Sequence, residues 1–243
     1  MGTRKTVIWF RNDLRIFDNP TLQAAAAFAK KDESELACVF CFDPRHFAST
    51  KYVGHKTGIY RSKFLIESIA NLRENLRSIG SELLVAIAKP EDILHKIACS
   101  GQIFVQGEVT SEELNVERRV EAKGVLNRVV GGSTLHHPDD LPYSQDFKDL
   151  PSMFTNYRQH IEKVGVKVRP LLPVLERGSL PKAPAFSSFA PNLSDVAFGL
   201  PGAASTTSTQ CGYVYLPTLI DLGFTEEEVQ GYVRNAASPL PAA

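Results

Sequence analysis

The stretch VIWFRNDLRIFDNP (7–20) decides the fold of this 243-residue chain. Its apolar residues, from Val7 to Phe10, stop abruptly at Arg11, and several charged side chains follow before Asn19-Pro20. A short apolar run followed by Asn-Pro is typical of a buried strand that turns into a helix, since Asn caps helices and Pro is tolerated at their first position. The stretch therefore predicts the first strand and first turn of an α/β domain.

The same alternation of strand and helix continues to about residue 135. The predicted strands are 5–10, 36–43, 82–88, 102–106 and 127–136, and the predicted helices are 20–31, 57–79, 90–98 and 111–126. Helix 57–79 is predicted from apolar residues that recur at spacings of three and four: Leu65, Ile69, Leu72, Leu76 and Ile79. Gly80 then ends the helix and separates it from the third strand. This order predicts a doubly wound, five-stranded parallel sheet with helices on both faces. Ligands of such sheets bind beyond the carboxyl ends of the strands.

The bulk composition excludes some classes of protein. Lys plus Arg equals Asp plus Glu, 27 of each, which argues against strong nucleic-acid binding through net charge. No apolar run is long enough to cross a membrane, and the N-terminus does not read as a secretory signal. We expect a soluble intracellular protein. A plastid or mitochondrial location stays compatible with this, because a transit peptide could have been removed.

The cysteines do not indicate a metal or redox site. Cys38 and Cys41 have C-x-x-C spacing but lie inside the predicted strand 36–43, where alternation places them on opposite faces. The pair His136-His137 with two following aspartates resembles a ligand cluster, but neighbouring residues again point apart. We interpret both groups as structural and predict no metal.

The charged residues after the first strand have two interpretations. Arg11, Asp13, Arg15 and Asp18 could pair with one another and fix the turn, or they could contact a polar ligand at the carboxyl edge of the sheet. The residues alone favour ion pairing for most of them. The chain has neither G-x-G-x-x-G nor a P-loop, so a nucleotide-binding regulator is a weaker alternative.

The character of the chain changes after about residue 167. Nine of the fifteen prolines lie in the last 79 residues, and 178–217 has little charge and no helical pattern. We predict an α/β domain over 4–164 and an interdomain connector over 165–243. The connector is expected to be extended, with 178–217 either draped over the domain or partly disordered, and with one short helix near 225–235 that Thr225 caps.

Several separated blocks resemble the photolyase/cryptochrome family, in particular DASH-type cryptochromes and plant photolyase-like proteins. The blocks are WFRNDLRIFDNPTL, VFCFDPRHF, KTGIYRSKFLIESIANLRENLRSIGSELLVAIAKPEDIL, SEELNVERRV and GSTLHHPDDLPYSQDFKDLPSMFTNYRQHIEK. The resemblance covers about residues 5–164, and LPTLIDLGF (216–224) is similar to the end of the family's connector.

The resemblance implies an N-terminal domain that holds an antenna chromophore, often a reduced folate. In such proteins a connector leads to a helical domain that binds FAD and damaged DNA and carries a tryptophan chain. We expect that helical FAD domain to be missing here, since the only tryptophan is Trp9. The chain alone is then not a competent photolyase, and FAD is expected only if a C-terminal helical domain is present.

The resemblance also implies site residues. Asn115 and Glu117, or Glu113 in a shifted register, match the helix that supplies an amide and a carboxylate to the folate pterin. Without the second domain, binding of a methenyltetrahydrofolate-type antenna is expected to be weak. A second predicted pocket, for a flavin-type antenna, lies beyond the strand ends, where Arg61 could join these residues: Arg11, Asp13, Phe42, Asp43 and Arg45.

A different class of function stays open. The domain could be a degenerate scaffold that binds a protein partner at the surface which a helical domain would otherwise cover. It could also be part of a fusion with another C-terminal domain.

Overall fold

The computed structural model describes residues 4–51, 54–198, 211–213 and 215–237. Its strands are β1 Lys5–Phe10, β2 Glu35–Phe42, β3 Leu83–Ile87, β4 Gln102–Gln106, β5 Val125–Val129 and β6 Cys211–Gly212. Its α-helices are α1 Pro20–Lys31, α2 Pro44–Phe47, α3 Ile59–Ser78, α4 Pro90–Ala98, α5 Ser111–Glu121, α6 Phe154–Val164 and α7 Glu226–Ala237.

One sheet, in the order β5-β4-β1-β2-β3-β6, organises the described residues. The first five strands pair in parallel, as the sequence predicts. A sixth strand was not predicted: β6 adds two residues antiparallel to the edge of β3, where Ala86 pairs with Cys211. Because the chain moves from β3 across to β4 on the far side of β1, the order of strands reverses between β1 and β4. A crevice opens at such a reversal.

Each face of the sheet carries its own hydrophobic core. The first contains apolar residues of α1 and α3, and the second contains those of α4 and α5. Cys38 lies in the first core and Cys41 in the second, so the predicted alternation is confirmed. Both thiols are free and buried.

Two predicted boundaries near the fifth strand were wrong. Helix α5 ends at Glu121 and not near Leu126, because Val125 and Leu126 already pair with β4. Strand β5 then ends at Val129, well before residue 136. Gly131 has a φ of 101°, a positive value that is incompatible with an extended strand, so the chain turns there.

The described residues that follow α6, 165–198, contain little regular structure. Four of their apolar side chains are buried in the second core: Phe189, Leu193, Val196 and Phe198. Arg77 donates to the carbonyl oxygen of Tyr213, and Arg73 donates to that of Tyr215, so α3 holds this segment after β6. Within the described residues, none of the helices combines the length and hydrophobicity needed to cross a bilayer.

Candidate functional site

A cavity of about 400 Å³ lies at the carboxyl ends of β1 and β2. Its walls are rich in apolar side chains, which include Trp9, Phe40, Phe42, Phe47, Phe64 and Leu65. Its polar residues are Arg11, Asn12, Asp43, His46, Thr57, Arg61, Ser68 and Glu113. An apolar chamber with a few polar groups, placed at the carboxyl edge of a doubly wound sheet, has the composition of a small-molecule site.

Arg11 connects β1 to α5 beside this cavity. Its Nη1 lies 2.6 Å from Oε1 of Glu117, whose side chain is fully buried. Oε2 of Glu117 accepts a 2.8 Å hydrogen bond from Nε of Arg128 on β5. Oε1 also accepts one from the backbone N–H of Glu108. The guanidinium of Arg11 also lies over the ring of Trp9, 4.6 Å from the ring centre, in a cation–π contact.

Asn12, which follows β1, bridges two carboxylates that follow β4 in the chain. Its Nδ2 donates to Oε1 of Glu108 at 2.8 Å and to Oε1 of Glu113 at 2.9 Å. Burial raises the pKa of Glu108, although the hydrogen bond from Asn12 opposes this. Burial alone would raise the pKa of Glu113 too, but hydrogen bonds from Thr110 and Asn12 lower it. Glu113 therefore presents a stable carboxylate to the cavity.

Asp43 forms the opposite wall at the end of β2. Its Oδ1 accepts from the backbone N–H of Arg45 at 3.0 Å and so caps α2. The guanidinium of Arg45 binds both Asp43 and Glu91, the latter at 2.8 Å. Burial lowers the pKa of Arg45, but the hydrogen bonds of the two carboxylates outweigh it and raise the value. Arg45 thus fixes the wall of the cavity and is not one of the residues that line it.

His46 is the titratable ring in the cavity wall. Burial lowers its pKa, and the positive charges of Lys56 and Arg45 act in the same direction against Asp43 and Glu112. Its backbone carbonyl accepts a 2.7 Å hydrogen bond from Oγ1 of Thr57. The folded protein therefore favours the neutral form of the His46 ring.

One face of α3 forms the outer wall. Phe64 contributes a ring that is 70% exposed at the rim. Arg61 lies one turn earlier, and among the described residues it makes no hydrogen bond or ion pair. An exposed aromatic ring and an uncommitted guanidinium at the mouth of a cavity are both suited to contact a ligand.

The structure brings together only part of the predicted site. Arg11, Phe42, Asp43 and Glu113 all line the cavity, and so does Arg61. Asp13 lies in a neighbouring cleft, where it pairs with Arg15 at 2.8 Å. Thus Arg15 takes the ion-paired role expected for this turn, whereas Arg11 does not pair with Asp13 or Asp18.

The two residues taken from the family helix lie in different environments. Asn115 is exposed on α5, and its Oδ1 accepts a 2.8 Å hydrogen bond from Arg118. Glu117 faces inward, and both of its oxygens are bonded. Neither residue lines the cavity.

Sequence reasoning missed Asn12, His46 and Phe64. Asn12 lies inside the charged stretch after β1, so its position beyond a strand end was a usable signal. His46 and Phe64 offered none, because their contribution depends on how α2 and α3 fold over the sheet.

Comparisons with known proteins identify the family of the chain. The family model described as DNA photolyase matches residues 6–176. Cryptochrome DASH of Gloeobacter violaceus is 37% identical over 75% of this chain. The Ostreococcus tauri protein named "Cryptochrome DASH, chloroplastic/mitochondrial" is 34% identical over 87%. The crystal structure of a Synechocystis cryptochrome superposes with a TM-score of 0.65 and 36% identity over 78% of the chain.

The chain belongs to the photolyase/cryptochrome family. Within that family it is close to the DASH cryptochromes and their plant relatives, and it corresponds to their N-terminal α/β domain. It spans 38% of the Gloeobacter protein, 42% of the Ostreococcus protein and 41% of the Synechocystis chain.

Proposed function

We propose that this domain binds a flat, light-absorbing antenna chromophore in the cavity at the carboxyl ends of β1 and β2. The observation that carries the proposal is the combination of aromatic walls with a fixed carboxylate in a cavity of about 400 Å³. This volume lies within the range of roughly 300–1,000 Å³ that is usual for small-molecule sites. The proposed role of the domain is light collection. Flavin photochemistry and DNA repair are not assigned to any residue of this chain.

The residues present fit a heteroaromatic ring system with an N–H edge. Glu113 is held by Asn12 and Thr110, which each donate one hydrogen bond to it. Each carboxylate oxygen can accept a second, so Glu113 can receive two adjacent N–H groups of a pterin or similar edge. Phe64 would stack on the exposed side of such a ring. A methenyltetrahydrofolate-type antenna has these features.

A second position for the same chromophore follows from the family resemblance. Asn115 lies on the outer face of α5 and could meet a ligand held between this domain and another one. Glu117 would support that position indirectly, since it anchors α5 to Arg11 and Arg128. A ligand bound there would be covered on one side only and would bind more weakly.

Titration of the purified chain with methenyltetrahydrofolate tests the proposal. We expect a shifted near-ultraviolet absorption band with saturable binding, together with quenching of Trp9, which lines the cavity. Substitution Glu113→Gln should weaken the first position, whereas Asn115→Ala should weaken only the second. Absence of binding at high micromolar concentration would contradict the antenna role.

A protein-binding role is favoured by a separate observation around α6. Only Ile161 of this helix is buried, and Leu135 and Phe154 are more than 70% exposed beside an apolar groove. Contiguous exposed apolar surface often marks a site of protein contact. Sedimentation of the purified chain tests this role, since a clean monomer over a wide concentration range would argue against it.

The location of the protein in the cell is also a proposal. The Ostreococcus relative is named as chloroplastic/mitochondrial. We propose a plastid or mitochondrial location for the protein that contains this domain. Detection of the protein in purified organelles would support it, and detection in the cytosol alone would contradict it.

A further inference from the structure

Helix α7 packs against α3 and against the segment that precedes α3. The ring of Phe224, just before α7, lies 4.6 Å from the ring of His55, measured between the ring centres. Tyr232 of α7 contacts Tyr60 of α3 edge to face, with the ring centres 5.0 Å apart. Val229 packs against the first hydrophobic core. Apolar and aromatic contacts therefore hold α7 on the domain.

One ionisable contact lies within this packing. Nε2 of His55 lies 3.8 Å from Oε1 of Glu228 on α7. The other ring nitrogen, Nδ1, lies 2.9 Å from the backbone carbonyl oxygen of Phe47. Because a carbonyl oxygen can only accept, Nδ1 carries a proton. In the neutral ring, Nε2 then turns a lone pair toward the carboxylate, whereas in the charged ring it presents an N–H group.

The carboxylate of Glu228 is held in place for this contact. Its Oε2 accepts hydrogen bonds from the backbone N–H of Thr225 at 2.7 Å and from the hydroxyl of Thr225 at 3.1 Å. The backbone hydrogen bond lowers the pKa of Glu228, so the carboxylate stays charged in weakly acidic solution. A charged imidazole at position 55 therefore meets a fixed anion.

Among the described residues, the neighbours of this contact leave the imidazole as the group of the cleft that changes charge between pH 5 and 8. Tyr60 and Tyr232 line the same cleft between α3 and α7, and phenols are neutral in this range. Lys56, the next residue after the imidazole, pairs with Glu112 of α5. His46 also titrates, but it lines the separate cavity at the end of β2.

We propose that His55 and Glu228 form a pH-sensitive latch, which holds α7 more tightly against the domain in weakly acidic solution than above neutral pH. Proton uptake by the imidazole creates an ion pair only while α7 is docked, so docking is favoured at low pH and the gain is lost as the pH rises. Because Glu228 is 45% exposed, the gain is modest, about threefold in the docking equilibrium. The latch lies outside the chromophore cavity and needs no bound ligand.

Hydrogen exchange of the full chain, measured by mass spectrometry, tests the latch. The protection factor of α7 peptides, which is corrected for the intrinsic pH dependence of exchange, is compared between pH 5.5 and 7.5. Peptides of β1 and β2 report whether the fold is intact at both values. His55→Gln removes the titrating ring. Glu228→Gln removes the charge but keeps an oxygen that can cap α7. Glu227→Gln, the matched control, removes a charge from the same first turn of α7 and leaves the contact in place.

We expect the protection of α7 in the unmodified chain to be about threefold higher at pH 5.5 than at pH 7.5. His55→Gln and Glu228→Gln should each abolish this difference, and Glu227→Gln should retain it. Equal protection of α7 at both pH values in the unmodified chain, including no protection at all, would overturn the latch. A difference that persists in His55→Gln or Glu228→Gln, or that disappears in Glu227→Gln, would overturn it as well.

Discussion

Arg11 donates a 2.6 Å hydrogen bond to Glu117, a carboxylate that has no solvent-exposed surface. The two residues are far apart in the sequence, and their contact joins the end of β1 to the middle of α5. Arg128 binds the second oxygen of the same carboxylate, so one buried charge ties three elements together at the carboxyl edge of the sheet. The helix that presents Glu113 to the cavity is positioned by this contact.

Removal of the buried charge should destabilise the domain strongly. Glu117→Gln leaves Arg11, which is only 10% exposed, without its counter-charge. Breaking one partner of a buried ion pair costs about 3 kcal/mol or more. We expect a loss of about this size in the free energy of unfolding, measured by urea denaturation.

Glu121→Gln is the matched control for that substitution. Glu121 also binds Arg128, at 2.9 Å, but it is 48% exposed. Exposed ion pairs contribute little to stability, so Glu121→Gln should lower the free energy of unfolding far less than Glu117→Gln does. Equal effects of the two substitutions would contradict the structural role assigned to Glu117.

Phe64 should matter for binding and not for stability. Phe64→Ala removes a ring that is 70% exposed at the rim of the cavity. An aromatic stacking contact worth about 1 kcal/mol corresponds to roughly fivefold weaker chromophore binding. Phe17→Ala, which removes an exposed ring outside the cavity, should leave the affinity unchanged when both are measured by Trp9 quenching. A similar loss in both variants would argue against stacking on Phe64.

The pH dependence of stability should report on His46. Burial lowers its pKa in the folded protein below the ordinary value of 6.5, so between the two values the unfolded chain binds more protons. The contribution of His46 to stability is therefore full above about pH 6.5 and is lost as the pH falls from there to the folded pKa.

The measurement compares denaturation midpoints of the unmodified chain and His46→Gln between pH 5 and 8. The difference in unfolding free energy between the two proteins should change across the acidic half of this range and stay constant above it. A constant difference throughout would show that His46 is not the group responsible.

Gly101 should tolerate no side chain. A Cβ atom at this position would overlap the carbonyl oxygen of Lys5 and lie 2.9 Å from that of Ala98. Since both obstacles are backbone atoms, Gly101→Ala should lower the free energy of unfolding by about 3 kcal/mol. Gly231→Ala in α7 meets nothing within 4 Å and should instead stabilise slightly, because alanine favours the helix. Thermal denaturation of both variants would reveal the difference in sign.

Local signals predicted most of the secondary structure. The Asn19 cap is confirmed by its 2.9 Å bond from the backbone N–H of Leu22. Thr110 caps α5 in the same local way, since its hydroxyl accepts a hydrogen bond from the backbone N–H of Glu113. These features depend on residues a few positions apart, so the sequence displays them directly.

The partners of the site residues could not be predicted in the same way. The sequence near Arg11 offers Asp13 and Asp18, yet its partner is Glu117, because α5 packs beside β1 only after β4 joins the sheet. Likewise, nothing in 211–213 indicates a strand. These residues pair only because the edge of β3 lies beside them, with Val85 opposite Gly212.

The short strand β6 has a consequence for how the domain matures during synthesis. It pairs with Val85 and Ala86, so this part of the outer edge of β3 is covered only after most of the described chain has left the ribosome. Until then, β3 presents open backbone groups that can pair with a neighbouring nascent chain. A polypeptide that stops before residue 211 would keep this edge open permanently and should be prone to aggregation.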